Sequence, residues 1–306
     1  MKKGIRRPVY FSQEWSLDRC FAAAAASGYE GMELIFRSGR RPVRSNIRSA
    51  VVGLSKGYHS WQSLQASITY DTTEAQCAEL ASVAAGHGIS IVGLASGYSA
   101  IDEPDSPTFR ATYEYIAKAI ERTHWLGGSS VLISFEKRSQ RVPDTIAQSW
   151  AGELLKRLAA IASENQVALA YELVWPALYE TPADLIEILE TAASANVGIY
   201  FDPANVLQHI AEEGRGFEAA TKPEDWLRAM RSYVKSVHMK DYSLAVGYVD
   251  LLAGDVNWRE IRQLLGEGGY DGWLVAEIEM EPKDHLFTIS QASDAIDRFI
   301  EGRCRP

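Results

Sequence analysis

The sequence predicts an α/β fold, a single (β/α)8 TIM barrel with an insertion after strand 2, and one domain over residues 1–306. Strand-like apolar runs alternate with helix-like segments eight times, the pattern of parallel strands joined by right-handed crossovers. Four of the runs end in a residue able to bind a metal: Val167 to Glu172, Val197 to Asp202, Val234 to His238 and Trp273 to Glu277. At 306 residues, 46% hydrophobic and 23% charged, the chain can bury a large core. No linker divides it.

In order, Val9-Tyr10-Phe11 reads as the first strand, and Ser16 to Ser27 as a helix that Ser16 caps and Gly28 ends. Tyr29 to Phe36 is the second strand. The stretch from Arg37 to Asp71 exceeds an ordinary βα loop and reads as an insertion over the barrel mouth. A helix from Thr73 to Ala85 leads to the Ile89–Leu94 strand, and one from Thr108 to Trp125 leads to Ser130–Phe135. The segment Pro143 to Asn165 precedes the Glu172 strand, and Thr181-Pro182-Ala183-Asp184 starts the next helix with a cap and a first-turn proline. Residues Val206 to Met230 contain two helical pieces around Gly214-Arg215-Gly216. Helices from Trp258 to Leu265 and from Ser290 to Glu301 flank the Glu277 strand.

Composition excludes several classes. A net charge of −9 disfavours a nucleic-acid surface, which needs clustered cations to displace counterions from phosphates. The odd count of three cysteines, without CxxC spacing, indicates neither a disulfide framework nor a thiolate zinc site and fits a reducing cytoplasm. The basic amino end lacks the apolar stretch of a signal peptide, and nothing approaches the ~20 apolar residues of a membrane span. The Gly-rich pieces lack phosphate-loop spacing. The expected partner is therefore a small molecule, with neither nucleic acid nor membrane, and self-association stays open.

Parallel strands of one barrel deliver their carboxyl ends to one mouth, so Glu172, Asp202, His238 and Glu277 are expected to converge there. Three carboxylates and an imidazole suit a divalent ion, Mn²⁺ first, with Mg²⁺, Co²⁺ or Zn²⁺ as alternatives. Each ligand also has a bland role: Glu172 pairing with a helix amine, Asp202 capping the helix that starts at Pro203, His238 sitting satisfied in the core. Glu277 competes with Glu279 and Glu281, and is favoured because the apolar run stops there.

Gly28-Tyr29-Glu30-Gly31-Met32-Glu33-Leu34, Tyr171-Glu172, Phe201-Asp202-Pro203-Ala204-Asn205, His238-Met239-Lys240-Asp241, Gly254-Asp255-Val256-Asn257-Trp258 and Gly269 to Glu277 together resemble the xylose-isomerase-like barrel superfamily of sugar isomerases and epimerases. The resemblance spans nearly the whole chain and is specific through order and spacing. It implies that Glu172, Asp202, His238 and Glu277 hold one divalent metal and that Glu172 and Glu277 act as acid and base. Several ketose 3-epimerases similar to this chain carry His where Asn205 stands, and pentulose-phosphate 3-epimerases of this fold resemble its Asp-x-x-Asn, so free and phosphorylated sugars both stay open.

The chemistry expected is proton removal beside a carbonyl through a metal-stabilised enediolate, with carboxylates on opposite faces exchanging the proton. Elimination by a lyase, a dehydratase or a keto-glycoside-cleaving enzyme starts from the same proton and is the alternative. Glu33, Trp175, Asn205 and Lys240 are expected at the substrate. Their competing roles are orienting a neighbour for Glu33, packing under a loop for Trp175 and an ion pair with Asp241 for Lys240. Arg37, Arg40, Arg41 and Arg44 could grip a substrate phosphate or carboxylate, although solvated loop arginines are commoner.

Overall fold

A computed structural model describes residues 1–7, 15–37, 68–137, 139–212, 222–279 and 284–304. Eight parallel strands form the barrel: β1 (Lys2–Arg6), β2 (Gly31–Arg37), β3 (Ser90–Ile101), β4 (Ser130–Lys137), β5 (Ala168–Glu172), β6 (Val197–Phe201), β7 (Val234–Met239) and β8 (Trp273–Ala276). Closure comes from β1, which pairs with β8 through Lys3↔Leu274 and with β2 through Ile5↔Met32. A two-residue strand, Ile68–Thr69, adds to the end of β2. A hairpin, Asp241–Ser243 with Gly247–Val249, follows β7.

Among the described residues the helices are α1 (Leu17–Ala26), α2 (Glu74–Gly86), α3 (Pro107–Trp125), α4 (Asp144–Glu164), α5 (Pro182–Thr191), α6 (Pro203–Glu212), α7 (Pro223–Met230), α8 (Trp258–Glu267) and α9 (His285–Ile300). Their starts follow local chemistry. Ser16 accepts from Arg19 N, and Thr73 with Gln76 and Thr181 with Asp184 form reciprocal capping boxes, satisfying amides that have no intrahelical acceptor.

Several boundaries differ from the sequence expectation, among them β3, which runs to Ile101 rather than Leu94, and α6, which starts at Pro203 rather than Val206. The first strand is Lys2–Arg6, whereas Val9–Phe11 lies outside the described residues. A Lys-Lys-Gly-Ile-Arg run shows no apolar stretch, yet Ile5 is buried in the core, and Lys3 buries its stem while its Nζ meets Asp297 at 2.7 Å. The last helix begins at His285 rather than Ser290, because Asp284 caps it by accepting from Phe287 N. Residues 38–67, which hold most of the expected insertion with Arg40, Arg41, Arg44 and Trp61, lie outside the described residues, as do 213–221 between α6 and α7.

The main core lies between barrel and helices, with Phe21, Ile116, Leu154, Leu169, Ile199, Trp226 and Phe299 among its members. A smaller plug of Val92, Ala95, Leu132, Ala170, Tyr200 and Val275 fills the barrel. Gly93 lets β3 approach β4, since a Cβ there would lie 1.9 Å from Ser130 O. These layers leave the carboxyl ends of the strands to build one polar mouth.

Candidate metal centre and active site

Glu172 ends β5, Asp202 follows β6, His238 lies in β7 and Glu277 follows β8. One ligand atom from each lies within 4.8 Å of all the others, so the group could hold a metal ion. Parallel register carries this result: Val275 pairs with His238 and Tyr200 with Glu172, so neighbouring strands finish at the same height.

His238 is fully buried, and its Nε2 lies 3.4 Å from Glu33 Oε2. That contact places the proton of the neutral ring on Nε2 and leaves the Nδ1 lone pair facing the cluster. Around Nδ1 stand Glu277 Oε2 at 3.2 Å, Glu172 Oε1 at 3.3 Å and Asp202 Oδ2 at 3.5 Å. Nδ1 and Asp202 Oδ2 are both buried without an aligned hydrogen bond. The Nδ1 lone pair, facing three carboxylates without a hydrogen bond, fits a cation, because buried polar atoms otherwise require partners, whereas Asp202 Oδ2 already has Lys240 Nζ at 2.8 Å. Burial opposes charge on His238, but Glu277, Asp202, Glu172 and Glu33 together raise its pKa well above the ordinary imidazole value.

Two cations border the carboxylates. Lys240 is buried, with its Nζ 2.8 Å from Asp202 Oδ2 and 2.9 Å from Glu277 Oε2. Arg6, at the end of β1, bonds Glu277 Oε1 through Nη1 and places Nε 3.5 Å from Glu33 Oε2. Burial alone would raise Glu277, but Arg6, then Lys240 and His238, hold its carboxyl far below the usual range. With His238 neutral, the four carboxylates of Glu33, Glu172, Asp202 and Glu277 face only these two positive charges. Two negative charges remain, which one divalent ion would balance.

Asp202 serves both roles raised by the sequence: Oδ1 accepts from Asn205 N at 3.0 Å at the start of α6, while Oδ2 faces the cluster. Glu279 stays outside the quartet, 3.8 Å from Lys240 Nζ, and Glu281 lies outside the described residues. Lys240 engages Asp202 and Glu277 rather than Asp241, whose carboxylate accepts from Tyr242 N and Trp258 Nε1. Glu33 is buried between His238 and Arg6. Asn205 directs its amide to Leu173 O at 2.9 Å, and Trp175 stacks on His209 with ring centroids 4.2 Å apart.

Sequence reasoning missed Arg6 and Tyr200. Arg6 was hidden in a basic amino end, and its place at the mouth depends on β1 closing the barrel. Tyr200 lies inside an apolar run, with its ring 4.1 Å from that of His238. Ser134, whose Oγ lies 3.4 Å from Glu172 Oε2, lies within β4, three residues before its end, and carried no signal in the sequence.

No curated protein matches the sequence. Solved structures do match in fold. A D-psicose 3-epimerase with D-tagatose from Clostridium cellulolyticum H10 superposes with a TM-score of 0.69 at 17% identity, covering 98% of this chain and 99% of that one. IOLI protein with a binding zinc atom gives 0.68 at 16% identity, covering 98% of both chains. A probable 3-DHS dehydratase, AsbF, from Bacillus anthracis gives 0.63 at 18% identity, covering 97% and 99%. The Xylose isomerase-like TIM barrel family matches residues 21–299, and this chain belongs to that family.

Proposed function

We propose that the protein is a divalent-metal-dependent sugar isomerase or epimerase that removes a proton beside the carbonyl of a ketose or keto-sugar. The observation that supports this most is the convergence of Glu172, Asp202 and Glu277 about the buried Nδ1 of His238, which has no hydrogen bond. A divalent ion held by these residues, for which Mn²⁺ is the first choice, would supply Lewis acidity.

The chain's own groups account for the rest. Glu172 and Glu277 are the acid–base pair. Glu277 is held on Oε1 by Arg6 and on Oε2 by Lys240, so its carboxylate is fixed in place. Glu172 has a looser contact, the Ser134 hydroxyl 3.4 Å from Oε2. Lys240 has three N–H donors and two close carboxylates, which leaves one donor for a substrate oxygen. Glu33 holds His238 in the tautomer that turns Nδ1 inward.

A dehydratase among the similar folds supports a second reading, elimination after the same proton removal. The test is incubation of the Mn²⁺-loaded protein with a panel of keto-sugars in D₂O. Deuterium entering at the carbon beside the carbonyl with the sugar retained supports isomerisation or epimerisation, and loss of water or an aglycone supports elimination. A panel with no exchange would overturn both.

A further inference from the structure

The two carboxylates assigned to proton transfer are held in different ways. Glu277 is clamped through its own oxygens by Arg6 and Lys240. The Glu172 carboxylate meets Ser134 Oγ at 3.4 Å and His238 Nδ1 at 3.3 Å, and the firmer contacts of this residue are on its backbone. Glu172 O accepts from the Tyr179 hydroxyl at 2.7 Å, and the same hydroxyl accepts from Val174 N at 3.2 Å. Between them, Leu173 N donates to Tyr200 O at 3.2 Å, and Leu173 O accepts from Asn205 Nδ2 at 2.9 Å. Every backbone polar group from Glu172 O to Val174 N is therefore bonded.

The groups that make these bonds are themselves fixed. Tyr179 is 1% exposed, and its ring packs edge-on against Tyr171, Trp175 and Trp226. Two residues on, Thr181 and Asp184 form the capping box that starts α5, and Asp184 Oδ2 also accepts from Glu180 N at 3.1 Å. Asn205 stands in the first turn of α6, where its own N donates to Oδ1 of Asp202. The hydroxyl and the amide thus tie the strand end that carries Glu172 to α5 on one side and to Asp202 on the other. Proton transfer and ion binding require such groups to be held within about 0.5 Å, and a residue clamped weakly through its side chain must obtain that precision from its backbone.

We propose that Tyr179 and Asn205 are positioning residues for Glu172, acting through its backbone to set where its carboxylate meets the ion and the substrate proton. The inference rests on the metal-dependent proton transfer proposed above and adds what holds Glu172 in register with Asp202.

The test is a double-mutant cycle on the full-length protein, with Mn²⁺ affinity read by competition with a chelating dye. Tyr179→Phe removes the hydroxyl crosslink and keeps the ring, while Asn205→Ala removes the amide on Leu173 O and keeps the backbone N that bonds Asp202. Each should weaken Mn²⁺ binding about tenfold, the low end for a group that orients a ligand. In a Glu172→Gln background each should change affinity by under about twofold, because the carboxylate they position is already gone, whereas a merely structural role costs the same in both backgrounds. Tyr171→Phe is the control, since it removes from the same aromatic cluster a hydroxyl with no aligned hydrogen bond, and it should leave affinity within about twofold. Unchanged affinity in both variants, or equal losses in both backgrounds, would overturn the proposal and leave the metal centre standing. A wild type that binds no ion would remove the metal centre and the inference with it. The expected cycle in a protein that exchanges deuterium into no keto-sugar would retain the positioning role and remove the isomerase or epimerase activity.

Discussion

Replacing Lys240 with methionine removes a buried cation and keeps most of the side-chain volume. Its Nζ lies 2.8 Å from Asp202 Oδ2 and 2.9 Å from Glu277 Oε2. At an effective dielectric of about 20, each pair attracts by about 6 kcal/mol before desolvation is subtracted. Removing one partner of a buried pair costs about 3–5 kcal/mol net, because the other charge stays buried. An exposed pair would cost at most about 1 kcal/mol. For a chain of this size about 2 °C of Tm accompanies each kcal/mol, so chelator-treated Lys240→Met should melt about 6–10 °C lower than the wild type. Saturating Mn²⁺ should narrow the gap, since the ion takes over neutralisation of the same carboxylates. Recovery of 1.4 kcal/mol corresponds to about tenfold tighter ion binding in the variant. Calorimetry with and without Mn²⁺ measures both quantities. A chelated variant melting within about 2 °C of the wild type, or ion affinity that fails to rise, would refute the role of Lys240 as a counter-charge.

Three further outcomes are expected. Glu172→Gln and Glu277→Gln should each lower deuterium exchange by about 10²–10⁴-fold at saturating metal, because an amide cannot carry the proton; near-native exchange in either variant removes that residue from the acid–base pair. Glu33→Gln should weaken ion binding by about 10–100-fold, read by competition with a chelating dye, because Glu33 fixes the His238 tautomer; unchanged affinity would show that Tyr200 packing alone orients the ring. Since its neighbours raise His238, a proton occupies the imidazole and competes with the ion over an extended range. Ion affinity should therefore climb by up to about tenfold per pH unit and level off once pH passes that raised value, and an affinity independent of pH between 6 and 9 would contradict it. The sign for the ion-free protein is opposite: protonated His238 contributes stability that is fully present below the unfolded value, about 6.5, and lost as pH rises through the folded one.

The barrel and its quartet were legible because both depend on local pattern and simple topology. Apolar runs such as Leu169-Ala170-Tyr171 and Ile199-Tyr200-Phe201 mark strands buried on both faces, and parallel order brings the residues that follow them to one mouth. Caps at Ser16, Thr73 and Thr181 mark helix starts, since the amides they satisfy lie within three residues. Pairings over long separations had no such mark. Arg6 meets Glu277 across 271 residues and Glu33 meets His238 across 205, contacts that exist only once β1 closes the sheet between β8 and β2. Strand-end chemistry was therefore determined by the sequence itself. The choice of Lys240 for ligand carboxylates, Asp241 for the hairpin and Asn205 for a backbone carbonyl was decided by tertiary packing, because each of these polar groups had several partners within reach and burial left it only those that the closed barrel placed beside it.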